Sequence, residues 1–265
     1  MKGIILAGGT ATRLFPLTAT TSKQLLPIYD RQMIFYPLNT LIKAGIKEIL
    51  IIVAPEHSGQ FLNLLGSIFE KSGIRIEFKV QTIPRGLADA FTIGADFIGS
   101  SKVTMVLGDN IFADDLSDPI KNFESGGRVF AKLVPDPERF GVVEFDAEMR
   151  ALSIEEKPLK PKSNYCVTGL YIYDQRVVDI VKTLKPSDRG ELEITDINNW
   201  FLNNKELDVR LIEGDWLDAG TFESLLEAGN IVRDKKIYNN FDPLINKAIV
   251  DFNLQLKELS KKKIK

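Results

Sequence analysis

Three stretches of this chain set glycines, a guanidinium, an ammonium and two carboxylates where they could handle phosphate groups. The first is Leu6-Ala7-Gly8-Gly9-Thr10-Ala11-Thr12-Arg13-Leu14, with Ser22-Lys23-Gln24-Leu25-Leu26-Pro27 shortly after it. Paired glycines let a backbone approach a polyphosphate and turn its N–H groups inward, and a nearby Arg or Lys then offsets the charge. The same letters also describe a tight strand-to-helix turn with a surface Arg. This is not a Walker A loop, since no Gly-Lys-Ser/Thr follows, and it lacks the glycine spacing of a dinucleotide fingerprint. The second stretch is Val103-Thr104-Met105-Val106-Leu107-Gly108-Asp109-Asn110, an apolar run ending in a carboxylate. At the carboxyl end of a buried strand, Asp109 could present oxygens to a hard cation that bridges phosphates, or it could be an ordinary turn residue. The third is Gly214-Asp215-Trp216-Leu217-Asp218-Ala219-Gly220-Thr221, where Asp218 is either a second metal ligand or a turn residue before a helix capped by Thr221.

Two further segments carry less specific chemistry. Ile154-Glu155-Glu156-Lys157-Pro158 could orient sugar hydroxyls and hold a phosphate, although a solvated salt-bridge ladder would look the same, and Pro137-Glu138-Arg139-Phe140-Gly141-Val142-Val143 lies just upstream. What the chain lacks is equally informative. With one Cys and one His, it can build neither an intramolecular disulfide nor a zinc site of several thiolates or imidazoles. His57 sits in Pro55-Glu56-His57-Ser58-Gly59 and reads as a surface residue, while Cys166 alternates like a small core or ligand-facing strand residue. Any catalysis therefore falls to carboxylates, Lys, Arg, backbone amides and a hard cation. Lys plus Arg number 34 against 36 Asp plus Glu, so there is no global field to attract nucleic acid or an anionic membrane. No stretch reaches the roughly 20 apolar residues of a membrane span, and the short apolar N-terminus does not resemble a signal sequence; the expected location is cytoplasmic.

The elements that must position these residues follow from periodicity. Strands are predicted at Lys2 to Leu6, Glu48 to Ala54, Ile74 to Val80 and Val103 to Leu107, separated by helical patterns over Met33 to Ala44, Gln60 to Phe69 and Leu87 to Ile98. This is a doubly wound α/β pattern with a mainly parallel central sheet, in which ligands bind beyond the carboxyl ends of strands. From about Gly127 the texture changes to strands at Arg128 to Val134, Gly141 to Phe145, Ala151 to Glu155 and Tyr165 to Tyr173, read as an antiparallel extension for a second substrate. Helices resume at Gln175 to Thr183, Glu193 to Asn203 and Thr221 to Val232. Residues 1–236 read as one domain, divided near residue 125, and 237–265 as a short C-terminal segment ending in a solvated basic tail, Lys261-Lys262-Lys263-Ile264-Lys265.

Taken together from Met1 to about Arg233, these pieces resemble the sugar nucleotidyltransferase family. The resemblance rests on Lys23-Gln24-Leu25-Leu26-Pro27, Val106-Leu107-Gly108-Asp109-Asn110, Phe140-Gly141-Val142-Val143-Glu144-Phe145, Glu155-Glu156-Lys157-Pro158, Val167-Thr168-Gly169-Leu170-Tyr171 and Gly190-Glu191-Leu192-Glu193-Ile194-Thr195-Asp196. It implies a Rossmann-like nucleotidyltransferase fold and transfer of a nucleotidyl group from dTTP or UTP to glucose 1-phosphate, by direct in-line attack with Mg²⁺. On the same resemblance Arg13, Lys23, Asp109 and Asp218 are catalytic, with Asp109 and Asp218 holding the metal. Gly8, Gly9, Ala11, Thr12, Arg13, Lys23, Gln24, Gln81, Gly86 and Asp109 surround the nucleotide. Asn110, Gly141, Glu156, Lys157 and Val167 surround the sugar phosphate. A homo-oligomer, dimer or tetramer, is also implied, with neither nucleic acid nor membrane as partner. Ala11 departs from the family, which usually has Gly there: positive φ would make alanine cost about 1 kcal/mol or more, and negative φ would cost little. The chain also runs shorter after Arg233 than typical members. A non-catalytic nucleotide-sugar-binding regulator and a glycosyltransferase are the competing activities.

Overall fold

Alternation of large aliphatic residues builds the centre of the molecule. In the computed structural model, which describes residues 1–9, 11–69 and 72–263, strand β1 (Lys2–Ala7) turns Ile4 and Leu6 to one face and Ile5 and Ala7 to the other, and all four are buried. A short hairpin, β2 (Pro27–Ile28) and β3 (Arg31–Gln32), precedes helix α1 (Phe35–Lys43). The helix starts later than the pattern from Met33 suggests, because the amides of Met33 and Ile34 are bonded to the carbonyls of Leu26 and Gln24. Strand β4 (Glu48–Val53), helix α2 (Ser58–Leu65) and strand β5 (Arg75–Val80) complete the first half.

The helix expected from Leu87 to Ile98 is two short ones, α3 (Asp89–Ile93) and α4 (Ala95–Ile98), split at Gly94. A side chain at Gly94 would lie 3.0 Å from Ile4 Cδ1, so the break comes where the backbone presses on the sheet. Then follow β6 (Val103–Leu107), β7 (Asn110–Phe112), α5 (Ser117–Lys121), β8 (Gly127–Leu133), β9 (Gly141–Phe145), β10 (Ala151–Glu156) and β11 (Tyr165–Tyr173). The remaining elements are α6 (Val177–Ile180), which passes into a 3₁₀ turn, α7 (Ile194–Asn203), β12 (Leu207–Leu211), β13 (Trp216–Asp218), α8 (Phe222–Asp234) and α9 (Pro243–Lys263). Thr221 caps α8 as expected: its side chain accepts from the Ser224 amide while Ser224 Oγ accepts from the Thr221 amide. The segment after residue 236 is largely the 21-residue α9, whose Ile245 and Ala248 join the main core. Ile264 and Lys265, at the end of the basic tail, lie outside the described residues.

Nine of the described strands form the main sheet in the order β10-β9-β11-β6-β1-β4-β5, with β8 on the other edge of part of β11 and β12 beside β8, while β2 pairs with β3 and β7 with β13 apart from it. β6, β1, β4 and β5 are mutually parallel; β11 runs antiparallel to β6 and starts the antiparallel extension. α1, α2, α8 and α9 pack on one face, and α3, α4, α6 and α7 on the other. The fold is the doubly wound α/β sheet with an antiparallel extension that the periodicity implies. Its topological break lies at the end of β6. Residues Leu170–Tyr173 of β11 pair with β6, whereas Cys166 pairs with β9, so the chain leaving Leu107 emerges into the gap between them. Gly108, Asp109 and Asn110 occupy that gap. No helix of the described residues is long and apolar enough to cross a membrane.

Candidate active site

The phosphate-loop candidate leaves β1 as an irregular turn. Gly9 has φ +112°, Thr10 lies outside the described residues, and Ala11 has φ +45° and ψ +34°, the left-handed conformation. The departure from glycine at this position is therefore a strained one, costing on the order of 1 kcal/mol. Thr12, Arg13 and Leu14 form a 3₁₀ turn anchored by fully buried Leu14, and the Ala11 carbonyl accepts from the Leu14 amide at 3.1 Å and from Thr18 Oγ1 at 3.0 Å. Across from it stands Gln81, at the carboxyl end of β5; a side chain on Gly8 would meet its Oε1 at 2.9 Å. Gln81 Nε2 donates to Asp89 at 3.0 Å and Arg85 donates to the other Asp89 oxygen at 2.9 Å, fixing the loop. Gly86 has φ +99° and lies against the backbone of Leu192, where any side chain would collide with the carbonyl. Gly8, Gly9, Gln81 and Gly86 thus line one end of the parallel strands.

Asp109 lies beside this loop. It is 9% exposed and accepts from the Lys23 ammonium on one oxygen and from Asn110 Nδ2 at 3.0 Å on the other. Asn110 is held in turn: its Oδ1 accepts from the Gly169 amide at 2.9 Å and from the Trp216 indole at 2.6 Å. Gly169 has no room for a side chain there, since a Cβ would stand 2.5 Å from the same oxygen. Gln24 is 2% exposed, packs against Gly108 and accepts from Ser22 Oγ at 2.5 Å.

Asp218 arrives from the far end of the sequence. β13 pairs antiparallel with β7, which sets Asp218 opposite Asn110, and the Ala219 amide donates to the Asp109 carbonyl at 3.1 Å. Gly220 separates Asp218 from Arg13: a side chain there would lie 3.0 Å from both the guanidinium and the carboxylate. The two carboxylates behave differently. Burial would raise the Asp109 carboxyl, but the Lys23 ammonium overrides it and holds the group below its ordinary value. Asp218 is pushed up to about 6, first by burial and then by the Asp109 charge, with Lys23, Arg13 and Arg139 only partly offsetting this. Its Oδ1 is buried and has no hydrogen-bond partner among the described residues.

Beyond these carboxylates opens a cavity of about 380 Å³. Asp109, Asn110, Asp218 and Arg13 wall one end; Gly141, Glu156, Lys157 and Val167 wall the rest, so the residues expected on the sugar phosphate share one space with the expected metal ligands. A Cβ on Gly141 would lie 3.3 Å from Glu156 Oε2 and 3.9 Å from Val167 Cβ. Glu156 accepts from Thr195 Oγ1 at 2.8 Å and faces Lys157 at 4.0 Å. Several other lining residues were given no role by the sequence reading: Arg139, Arg189, Thr195 and Asn198. Arg139 and Thr195 stand in segments singled out above, the one just before Phe140 and the other within Gly190 to Asp196, and could have been found there; Arg189 and Asn198 sit beside or in an ordinary helical pattern. His57 is not among the lining residues, and Cys166 is fully buried with its thiol pushed up to about 12 by burial.

A buried carboxylate and a half-buried one with an unanswered oxygen make a hard-oxygen donor set that suits Mg²⁺, an ion that keeps several waters and takes its other ligands from substrate phosphates. Among the described residues no third His, Cys, Asp or Glu completes a cluster with them. Such a set suits a metal that arrives with phosphate better than one held by protein alone.

Known proteins share this sequence and fold. Residues 2–235 match the nucleotidyl transferase family. The chain is 53% identical over 239 residues to a glucose-1-phosphate thymidylyltransferase of Neisseria gonorrhoeae, covering 88% of this chain and 83% of that one. It is 51% identical over 238 residues to one of Mycolicibacterium smegmatis, with coverages of 88% and 82%. Among solved structures, one assigned as a glucose-1-phosphate thymidylyltransferase from Bacillus anthracis, in complex with a sucrose, superposes with TM-score 0.84 at 44% identity, covering 93% of this chain and 99% of that one. A UDP-glucose pyrophosphorylase complexed with UDP-glucose shares the fold alone, at 23% identity and TM-score 0.78. With the family match spanning the loop, both carboxylates and the cavity, the chain belongs to the nucleotidyl transferase family and is a nucleotidyltransferase.

Proposed function

We propose that this chain transfers the thymidylyl group of dTTP to glucose 1-phosphate, giving dTDP-glucose and pyrophosphate. The single observation that carries the reading is the continuity of the site: Asp109, Asp218 and Arg13, with Lys23 paired to Asp109, line the same cavity as Glu156, Lys157, Gly141 and Val167. One end suits a triphosphate and the other a polyhydroxylated anion. The names carried by relatives at about half identity support thymidine and glucose as the two partners. We read residues 1–125 as the nucleotide-binding part and 126–236 as the sugar-binding part.

In the reaction an oxygen of the sugar phosphate attacks the α-phosphorus in line, and pyrophosphate departs. The substrate supplies the nucleophile, so neither the lone His nor the buried thiol has to serve. Two anions must be brought together, and oriented binding can account for roughly 7 to 11 kcal/mol of barrier. Gln81, held by Asp89, and the Gly86 loop present donors and acceptors to the pyrimidine edge. Gly8, Gly9, Ala11 and Thr12 wrap the phosphates, with Gln24 supporting the strand end from below. Arg13 and Lys23 hold the β- and γ-phosphates and stabilise the charge that develops on pyrophosphate. Lys157 holds the sugar phosphate, while Glu156, Gly141, Val167 and Asn110 position the hexose. Asp109 and Asp218 would hold Mg²⁺, which when bound supplies charge neutralisation across the triphosphate.

The test is a substrate panel: dTTP and UTP, each against glucose 1-phosphate and its galactose, mannose and N-acetylglucosamine counterparts, with pyrophosphate detection. dTTP with glucose 1-phosphate should give the highest kcat/KM. Nucleoside diphosphate as the product, or binding without pyrophosphate release in every combination, would overturn the assignment.

A further inference from the structure

One polar group in the cavity wall is used neither by the fold nor by the chemistry above. Helix α7 turns Ile194, Ile197, Asn198 and Phe201 to one side, an i, i+3, i+4, i+7 stripe of the kind that buries a helix face, and the other three join the hydrophobic core. Asn198 is 1% exposed and lines the cavity. Behind it the Tyr173 hydroxyl donates to its Oδ1 at 2.5 Å. Tyr173 is itself fully buried, edge-on to Phe91 and stacked on Phe201, each with ring centroids 5.4 Å apart. Burial keeps that hydroxyl protonated, far above its ordinary titration range. Kept protonated, it has a proton to donate, and the amide oxygen that faces it takes that proton. Asn198 Nδ2 is left buried with no acceptor among the described residues. Turning the amide over would let its nitrogen donate to the phenol oxygen but would leave two groups, the tyrosine proton and the amide oxygen, without partners. Buried donors are rarely left this way, since the lost hydration is not replaced. One turn earlier on the same helix, Thr195 already donates to Glu156, another wall of the same space.

We infer that Asn198 Nδ2 donates a hydrogen bond to one hydroxyl of the bound hexose, which makes Asn198 a specificity-determining residue for the sugar 1-phosphate. This rests on the reading that the cavity takes a sugar 1-phosphate. The substrate class it selects is a pyranose 1-phosphate bearing an acceptor oxygen at that one ring position, and it disfavours the analogue deoxygenated there.

The experiment measures kcat/KM for glucose 1-phosphate and its 2-, 3-, 4- and 6-deoxy analogues with wild type, Asn198→Leu and Asn198→Asp. In wild type, deoxygenation at one position should cost about tenfold or more, the scale of a lost hydrogen bond that strands its partner. In Asn198→Leu that penalty should shrink to within about twofold while the penalties at other positions persist. Asn198→Asp, which turns the donor into an acceptor, should use the parent sugar about as poorly as wild type uses the deoxy compound. KM for the nucleotide should not move. If every deoxy penalty survives unchanged in both variants while wild type is active, the inference falls and the assigned reaction stands; if wild type releases no pyrophosphate from any pair, both fall. Should neither variant fold, the side-chain amide resonances of Asn198 in the ¹⁵N-labelled wild type decide: a shift with glucose 1-phosphate that one deoxy analogue fails to produce supports the inference, and an unmoved pair overturns it.

Discussion

Asp218→Asn removes a charge that the folded protein tolerates poorly and that the proposed metal site uses. Burial and the neighbouring Asp109 push this carboxyl from 3.8 to about 6. A shift of that size means that ionising it costs the folded state up to about 3 kcal/mol relative to the unfolded chain. For a carboxyl raised on folding, that destabilisation is fully present above the folded value, fades as pH falls through 6, and is gone below the unfolded value near 4. The isosteric amide escapes it but brings a nitrogen that needs an acceptor, which can return about 1 to 2 kcal/mol. In EDTA at pH 8 the variant should therefore be more stable than wild type by about 1 kcal/mol, a rise in Tm of roughly 2 to 4 °C for a chain of this size. At pH 4 the sign should reverse, because the carboxylate penalty is nearly gone and the amide's cost of about 1 to 2 kcal/mol remains. Turnover with Mg²⁺ should meanwhile drop at least about a hundredfold, since one of the two charges proposed to hold the metal is lost. Melting curves at pH 8, 6 and 4 beside a pyrophosphate-release assay measure both halves. A variant less stable than wild type at pH 8, or one that keeps near-normal turnover at saturating Mg²⁺, would refute the assignment of strain and function to the same oxygen.

Three further outcomes follow from other parts of the site. Lys157→Ala should raise KM for the sugar phosphate about tenfold or more while leaving that for the nucleotide unchanged, because Lys157 lines the part of the cavity proposed to take the sugar; steady-state kinetics with each substrate varied would expose the opposite pattern. Ala11→Gly should stabilise the protein by up to about 1 kcal/mol, since relief of the left-handed alanine exceeds the added freedom of the unfolded chain, and urea denaturation with an unchanged or lower midpoint would count against that conformation. The Cys166 thiol, fully buried and pushed up to about 12, should resist a thiol-specific reagent at pH 8 in the native protein and react once the chain is unfolded; rapid native labelling would contradict its placement.

Local signals in the chain carried the parallel half of the fold. Ile4, Ile5, Leu6 and the run from Ile49 to Val53 are strand-like whatever surrounds them, and a carboxylate placed just after Leu107 is legible because strand ends are where such sheets bind ligands. The helical pattern from Leu87 to Ile98 does not show the break at Gly94, which depends on contact with Ile4, 90 residues away. Non-local pairing hides the site in the same way. Nothing near Asp218 says that it lies opposite Asn110, and nothing near Lys23 says that it meets Asp109; only the resemblance to a family joined them before the structure did. Asn198 was hidden by the helical pattern itself. One polar residue in an apolar stripe looks like tolerance until its tyrosine partner and its unanswered nitrogen are seen together.

The central claim is that one phosphate displaces another directly, with no group of the enzyme bonded to phosphorus on the way. It is tested most directly with dTTP carrying sulfur at one stereochemically defined α-phosphate oxygen, by determining the configuration of the dTDP-glucose formed. A single in-line displacement predicts inversion at the α-phosphorus. Retention, or thymidylyl label that stays on the protein through denaturing gel filtration, would show a covalent intermediate and contradict the account.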